Sequence, residues 1–286
     1  MQKKTILITG ISSGFGKEAT LELLAHGHTV LGALRGGDAR WREIAPETIP
    51  MLTSKQLQIF DVHLDQSESV NALVDVIHTK FDQKLDVLIN NAGFGLIGSL
   101  DFTTEEQIRY QMEVNFFAPT FLAKKLYPAL KAARGRVINI SSIMGLVSVP
   151  FFGPYNASKF ALEAMSEGMA YDWEADGIQV AIIEPGSFKT DFLTSGIKTG
   201  SEANDTNHPK HSMVKKLVAN YKSKGKFSDD PRKVSRLIVK YCEQERIPLR
   251  TVIGKDAKAM AVVKWLLPES IRFRAIQMGY KKLFLS

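Results

Sequence analysis

Thr5-Ile6-Leu7-Ile8-Thr9-Gly10-Ile11-Ser12-Ser13-Gly14-Phe15-Gly16 reads as a short apolar strand that breaks at glycine, and Lys17-Glu18-Ala19-Thr20-Leu21-Glu22-Leu23-Leu24 continues it as an amphipathic helix. Glycines at a strand-to-helix turn let the backbone come close to a pyrophosphate, and the helix N-terminus adds N–H groups and the positive end of its dipole. Gly10, Ser12, Ser13, Gly14, Phe15 and Gly16 are therefore the first candidate ligand-binding residues. The competing reading is a P-loop, drawn from Gly16-Lys17. That motif needs four residues between its first glycine and the Gly-Lys pair, followed by Ser or Thr. Here five residues separate Gly10 from Gly16 and Glu18 follows Lys17, so nucleotide hydrolysis is rejected.

Outward from this turn, β-branched runs alternate with helical patterns. Thr5 to Ile8, Thr29 to Leu34, Leu57 to Phe60, Val87 to Ile89, Arg136 to Ile140, Gln179 to Ile183 and Thr251 to Ile253 read as strands. Most are apolar at successive positions, as in a parallel sheet covered on both faces. Helical periodicity occupies Gly16 to Ala25, Ser67 to Phe81, Glu105 to Ala133, Ala157 to Ala175 and Pro231 to Glu243. The expected fold is α/β, a doubly wound parallel sheet of Rossmann type, in a single domain over residues 1–286. Thr194 to Asp230 is polar, with Gly196, Gly200, Asn204, Asp205, Asn207 and Pro209, and is expected to be a loop. Residues 188–230 are assigned as a substrate-loop region and 256–286 as a C-terminal lid or oligomer segment.

A chain of 286 residues with 44% hydrophobic composition can bury one substantial core. The single cysteine, Cys242, allows no internal disulfide and no thiolate metal cluster, and is expected to be a small buried hydrophobe. His208 and His211 lack an identifiable third ligand, so no metal site is assigned. The net charge of +7 comes from scattered lysines and arginines, which fits a solvated surface better than a nucleic-acid footprint. No leader is recognised and no run is apolar enough to cross a bilayer, so the expected location is cytoplasmic. For the C-terminal segment, with Trp265, Leu266, Leu267 and Phe273, packing as a lid or between subunits ranks ahead of membrane contact.

The second strand ends in Arg35, where an acid would hold the ribose hydroxyl of NAD and an arginine accommodates the extra phosphate of NADP. NADP is favoured and NAD disfavoured, with Arg40 and Ser12 as helpers. Tyr155 and Lys159 stand four apart at the start of a helix, one turn apart on one face. A free tyrosine is a poor base at neutral pH, and a neighbouring ammonium stabilises its phenolate. Such a pair can move a proton while a nicotinamide moves a hydride.

Thr9-Gly10-x-x-x-Gly14-x-Gly16, Asp61-Val62, Asn90-Asn91-Ala92-Gly93, Asn115, Ser141-Ser142, Tyr155-x-x-x-Lys159 and Pro185-Gly186 with Thr190 stand together in order, over nearly the first 195 positions. In this set the chain resembles the short-chain dehydrogenase/reductase family, and around Asn156 to Glu163 it looks like the branch containing 17β-hydroxysteroid and retinol dehydrogenases. The resemblance implies that Tyr155 is the general acid/base and that Lys159 lowers its pKa and holds the nicotinamide ribose. It implies that Ser142 positions the substrate oxygen and that Asn115 holds a relay water. It also implies that Asp61 and Val62 contact the adenine, that Asn91, Ala92 and Gly93 line the cofactor cleft, and that Thr190 binds the carboxamide beyond the Pro185-Gly186 turn. A homodimer or homotetramer is implied by the resemblance alone.

Phe94, Leu96, Met144, Leu146, Val149, Phe151, Phe152, Phe188, Phe192 and Leu193 are the expected surroundings of the nicotinamide. They point to an oxidoreductase for a lipophilic secondary alcohol, ketone or aldehyde. The alternative is an NADP(H)-binding sensor without turnover, which the loss of Ser142, Tyr155 or Lys159 would have favoured. All three are present.

Overall fold

In the computed structural model, residues 2–81, 83–193, 196–200, 206–208, 210–224 and 229–284 are described. In chain order the elements are β1 (Thr5–Thr9), α1 (Gly14–Ala25), β2 (Thr29–Leu34), α2 (Gly37–Ile44), α3 (Ile49–Thr53), β3 (Leu57–Asp61), α4 (Ser67–Lys80), β4 (Val87–Asn90), β5 (Gly95–Ile97) and α5 (Glu105–Met112). They continue with α6 (Ala118–Ala133), β6 (Arg136–Ile140), α7 (Gly153–Asp172), β7 (Gln179–Pro185), β8 (Ile197–Thr199), α8 (His211–Lys224), α9 (Arg232–Glu243), β9 (Arg250–Ile253), α10 (Lys255–Leu266) and α11 (Glu269–Phe284).

Seven strands form one parallel sheet in the order β3-β2-β1-β4-β6-β7-β9, with registers such as Ile6 opposite Val30 and Leu7 opposite Leu88. Helices cover both faces, so the central strands are buried on both sides and carry apolar residues without alternation. One core layer joins Ile6, Ile8 and Ile89 to Leu23, Val234 and Ile238; the other joins Leu7, Leu88 and Val137 to Leu73, Leu122 and Leu126. Each fully buried aliphatic side chain in these layers contributes on the order of 2 kcal/mol. This is the doubly wound, single-domain fold expected from the alternation of patterns.

Three local features differ from that expectation. Glu105 to Ala133 is not one helix, because a π-turn at Glu113–Phe117 separates α5 from α6. Residues 37–53 hold α2 and α3, anchored by the fully buried Trp41, whose indole N–H donates to Thr48 Oγ1 at 2.8 Å. The expected loop from Thr194 to Asp230 contains α8, with Val214 and Leu217 buried against Phe151 and Phe152. Its stripe of Met213, Val214, Leu217 and Val218 is diluted by lysines on the solvent side, so the polar average concealed a helix. Asn204, Asp205 and Pro209 lie outside the described residues. Cys242 is buried, and burial pushes its thiol up to about 12.

Candidate active site

The carboxyl ends of β1, β2, β4, β6 and β7 open onto one cleft of about 670 Å³, at the β1/β4 position where the strand order reverses direction. Its floor is the glycine turn. Gly10 has φ +72°, and a Cβ there would stand 2.7 Å from the Cα of Ala92. Only glycine allows the two loops to approach so closely. Gly14 has φ +55° and opens α1, whose N-terminus carries no side-chain cap. Ser12, Ser13, Gly14 and Phe15 border the cleft there, so uncapped backbone N–H groups at a dipole's positive end face the space. The Thr9 hydroxyl accepts from the N–H groups of Asn91 and Ala92, both at 3.1 Å, while Asn91 Nδ2 donates to the carbonyls of Thr9 and Gly10. This stitching holds the first and fourth strand ends at a fixed separation.

At the end of β2, Arg35 and Arg40 both border the cleft. The first acid after Arg35, Asp38, is paired with Arg42 at 2.7 Å. Val62 borders the cleft, along with Leu64 and Asp65.

Tyr155 and Lys159 come from the first two turns of α7, which begins at Gly153 with Pro154 behind it. Both are buried and border the cleft, as does Ser142 at the end of β6. The Lys159 ammonium sits 5.9 Å from the centre of the Tyr155 ring while donating to the Ile140 carbonyl at 2.8 Å, and the Ser142 hydroxyl accepts from the Met144 N–H at 3.1 Å. Burial pushes the Tyr155 phenol up to about 12, with the Ser142 hydrogen bond pulling the other way. Burial also brings Lys159 down to about 8, against the pull of the Glu163 carboxylate. Desolvation is the larger of the two influences on Tyr155, and the tyrosine is a protonated phenol at neutral pH.

Three residues expected at the site do not line the cleft. Gly16 is where α1 packs on the turn, since a Cβ there would meet the Gly10 carbonyl oxygen at 2.3 Å. Asp61 accepts from the Gly36 N–H at 2.9 Å, so its carboxylate holds the β2 turn. Asn115, in the π-turn, accepts from the Phe94 N–H at 3.1 Å and donates to Ser158 Oγ at 3.2 Å. The π-turn rotates this side chain inward, in keeping with such bulges at functional sites. The remaining expected residues, Ala92, Gly93, Pro185, Gly186 and Thr190, border the cleft. The Thr190 side chain stands opposite Gly14.

Of the apolar residues expected here, Phe94, Met144, Phe152, Phe188 and Phe192 border the cleft. Phe188 packs edge-on against Phe15 beside the glycine turn, whereas Phe152 and Phe192 pack around Tyr155. Leu96, Val149 and Phe151 pack in adjoining clusters, Leu146 does not border the cleft, and the Leu193 side chain lies outside the described residues. Sequence reading missed Lys198. It reaches the cleft because β8 pairs in parallel with β5, and its ammonium lies 5.0 Å from the Phe94 ring centre and 4.8 Å from that of Tyr110. Gly196 and Gly200 bracketing Ile197-Lys198-Thr199 were the available signal for this short strand.

The family described as short chain dehydrogenase matches residues 4–199. The chain belongs to the short-chain dehydrogenase family. It is 34% identical over 282 residues to 3-ketodihydrosphingosine reductase of Bacteroides thetaiotaomicron, covering 98% of this chain and 99% of that one. It is 35% identical over 210 residues to the NADPH-dependent 3-dehydrocapnine reductase of Ornithobacterium rhinotracheale, covering 71% of each. A solved short-chain dehydrogenase from Streptomyces avermitilis superposes with a TM-score of 0.80 at 28% identity, covering 99% of this chain and 97% of that one.

Behind α7 of this short-chain dehydrogenase lies a partly buried ionic cluster. Arg250 on β9 reaches Glu163, Glu167 at 2.8 Å and Glu184 at 3.2 Å. Burial, then the nearby Glu163 charge, pushes the Glu184 carboxyl well above its ordinary 4.5. A carboxyl with a raised folded pKa binds its proton more tightly in the folded chain than in the unfolded one. Its stabilising contribution is full below the unfolded value and is lost as pH rises through the folded value. Melting temperature should therefore fall as pH rises from about 4.5 to neutrality. In Glu184→Gln that slope should flatten; an identical slope in both proteins counts against the assignment.

Proposed function

We propose that this protein is an NADP(H)-dependent oxidoreductase that interconverts a lipophilic secondary alcohol and its ketone, with Tyr155 as the general acid/base. The observation that carries this reading is the buried Tyr155, which shares the cleft with Ser142 and Lys159 and is ringed by Phe152 and Phe192 at the apolar end of a cleft whose other end is a glycine turn. Oxidoreductases at 34 and 35% identity named for keto-lipid-type and NADPH-dependent reductions support it.

The residues present fit the dinucleotide. A pyrophosphate suits the uncapped α1 N-terminus at Ser12, Ser13, Gly14 and Phe15, because a Cβ at Gly10 or Gly16 would close the turn. Arg35 and Arg40 suit an additional phosphate at the adenosine end, and Thr190 the carboxamide. Lys159 is placed to hold the ribose. The bound nicotinamide supplies or accepts the hydride.

The protein's own part is proton transfer and orientation. Ser142 holds the substrate oxygen against the Tyr155 hydroxyl. In the reducing direction the phenol gives its proton to that oxygen, and Lys159 shares the resulting negative charge. Asn115, bonded to Phe94 and Ser158, props the backbone beside Lys159, and through that contact it would support the relay. Within the substrate-loop and C-terminal segments, α8 and Tyr280 of α11 cover the apolar end of the cleft, since they join the cluster around Phe151 and Tyr155.

Reduction requires the phenol form of Tyr155, present up to about 12, and the ammonium of Lys159, present up to about 8. Reductive kcat/KM should therefore hold level through neutral pH and fall as pH rises through about 8. Lys159→Arg, whose charge persists, should be slower but lose that alkaline limb; a limb unmoved in the variant would assign it elsewhere. The lipophilic reading is tested with methyl ketones of increasing chain length. Each added methylene buried in the apolar end is worth roughly 0.8 kcal/mol, so kcat/KM should rise about fourfold per carbon until the space is filled. A rate independent of chain length defeats the lipophilic assignment.

A further inference from the structure

We infer that the C-terminal helix pair, α10 and α11, is a docking face for anionic lipid bilayers. Both helices leave large apolar side chains in water: Trp265 is 84% exposed, Met278 70%, Phe273 64% and Leu266 60%. On α10, Val262, Val263 and Leu266 recur at helical spacing, and on α11 Ile271 and Met278 do so, giving each helix an exposed apolar stripe. So many large apolar side chains left exposed on two consecutive helices mark an interaction site. Among the described residues no helix is long and apolar enough to span a bilayer, so the face would lie on the surface.

Charge decides the occupant. Lys258, Lys264, Arg272, Arg274 and Lys281 stand on the same two helices, against the acids Asp256 and Glu269. Asp256 is already engaged by the Ser187 N–H at 2.8 Å. A second copy meeting this face across a two-fold axis would bring cation to cation. An anionic lipid surface instead complements the lysines and arginines, while Trp265 and Phe273 are side chains that settle at the headgroup boundary. This reverses the ranking drawn from sequence, where packing as a lid or between subunits stood ahead of membrane contact.

The face adjoins the cleft. The ring of Tyr280 on α11 packs 5.7 Å from that of Phe151, and its hydroxyl donates to Met213 Sδ at 3.1 Å. Phe151 and Met213 belong to the cluster that holds Phe152 and Tyr155. Docking would thus set the apolar end of the cleft beside the bilayer, a consequence that rests on the proposed lipophilic substrate; the docking itself does not.

The experiment is co-sedimentation of the full chain with phosphatidylglycerol-containing vesicles and with pure phosphatidylcholine vesicles, while tryptophan emission is followed. Of the three tryptophans, Trp41 is buried and Trp173 half-buried, so Trp265 is the reporter. Binding to the anionic vesicles with a blue shift is expected. It should weaken at high salt and fall at least about tenfold in Trp265→Ser/Phe273→Ser and in Lys258→Glu/Arg274→Glu/Lys281→Glu. No sedimentation with anionic vesicles, binding unchanged in both variants, or a wild-type dimer that the Trp265/Phe273 variant dissociates would each overturn the proposal. Reduction of a water-soluble ketone, measured in parallel, should be the same in wild type and variants. Its absence would count against the enzymatic reading and leave the vesicle result interpretable.

Discussion

Tyr155→Phe is expected to lower kcat for carbonyl reduction by about 10²–10⁴-fold, the usual span for removing a positioned general acid. The side chain is buried, packed against Phe152 and Phe192, and loses only its hydroxyl in the substitution, so ring packing is kept. Cofactor affinity should change little, because the glycine turn, Arg35 and Thr190 lie elsewhere in the cleft. Steady-state rates alongside fluorescence titration with NADPH separate the two effects. A variant that retains wild-type turnover would remove Tyr155 from the chemistry.

The second large effect is expected at Arg35. Hydrogen bonds to a charged group contribute roughly 1.5–3 kcal/mol, which corresponds to about 10–100-fold in affinity. Arg35→Asp replaces that donor with a like charge to a phosphate, so NADPH binding should weaken by at least this factor. NADH binding should hold or improve, since a carboxylate can accept from a ribose hydroxyl. Arg40 remains at the cleft in this variant and will retain part of the NADPH affinity. Titration with both cofactors is the measurement. An unchanged NADPH:NADH ratio would mean that the pair of arginines does not select the phosphate.

The fold was legible wherever local pattern and global packing demand the same residues. Parallel strands buried on both faces need uninterrupted apolar runs, and the seven expected strands are the seven of the sheet. Tyr155 and Lys159 were readable because one helical turn fixes their relation. What escaped reading depends on contacts distant in sequence. Lys198 comes to the cleft through a three-residue ladder with β5, and no local signal states its partner. Asn115 was named through the family resemblance alone, since without it the residue reads as a helix interruption; the π-turn that turns it toward Phe94 and Ser158 is a tertiary outcome. The raised phenol of Tyr155 was equally hidden. Spacing announced an ammonium nearby, but the balance between that ammonium and desolvation is settled only by how completely the fold buries both groups.

The central claim, that the cleft turns over a carbonyl or alcohol and does not merely hold a dinucleotide, is tested by following NADPH fluorescence and alcohol formation together as a lipophilic ketone is added to the wild-type protein. Saturable oxidation of NADPH, matched mole for mole by alcohol, is the predicted result. Tight NADPH binding with no consumption across a broad panel of ketones, aldehydes and alcohols would contradict it and leave a binding protein in the enzyme's place.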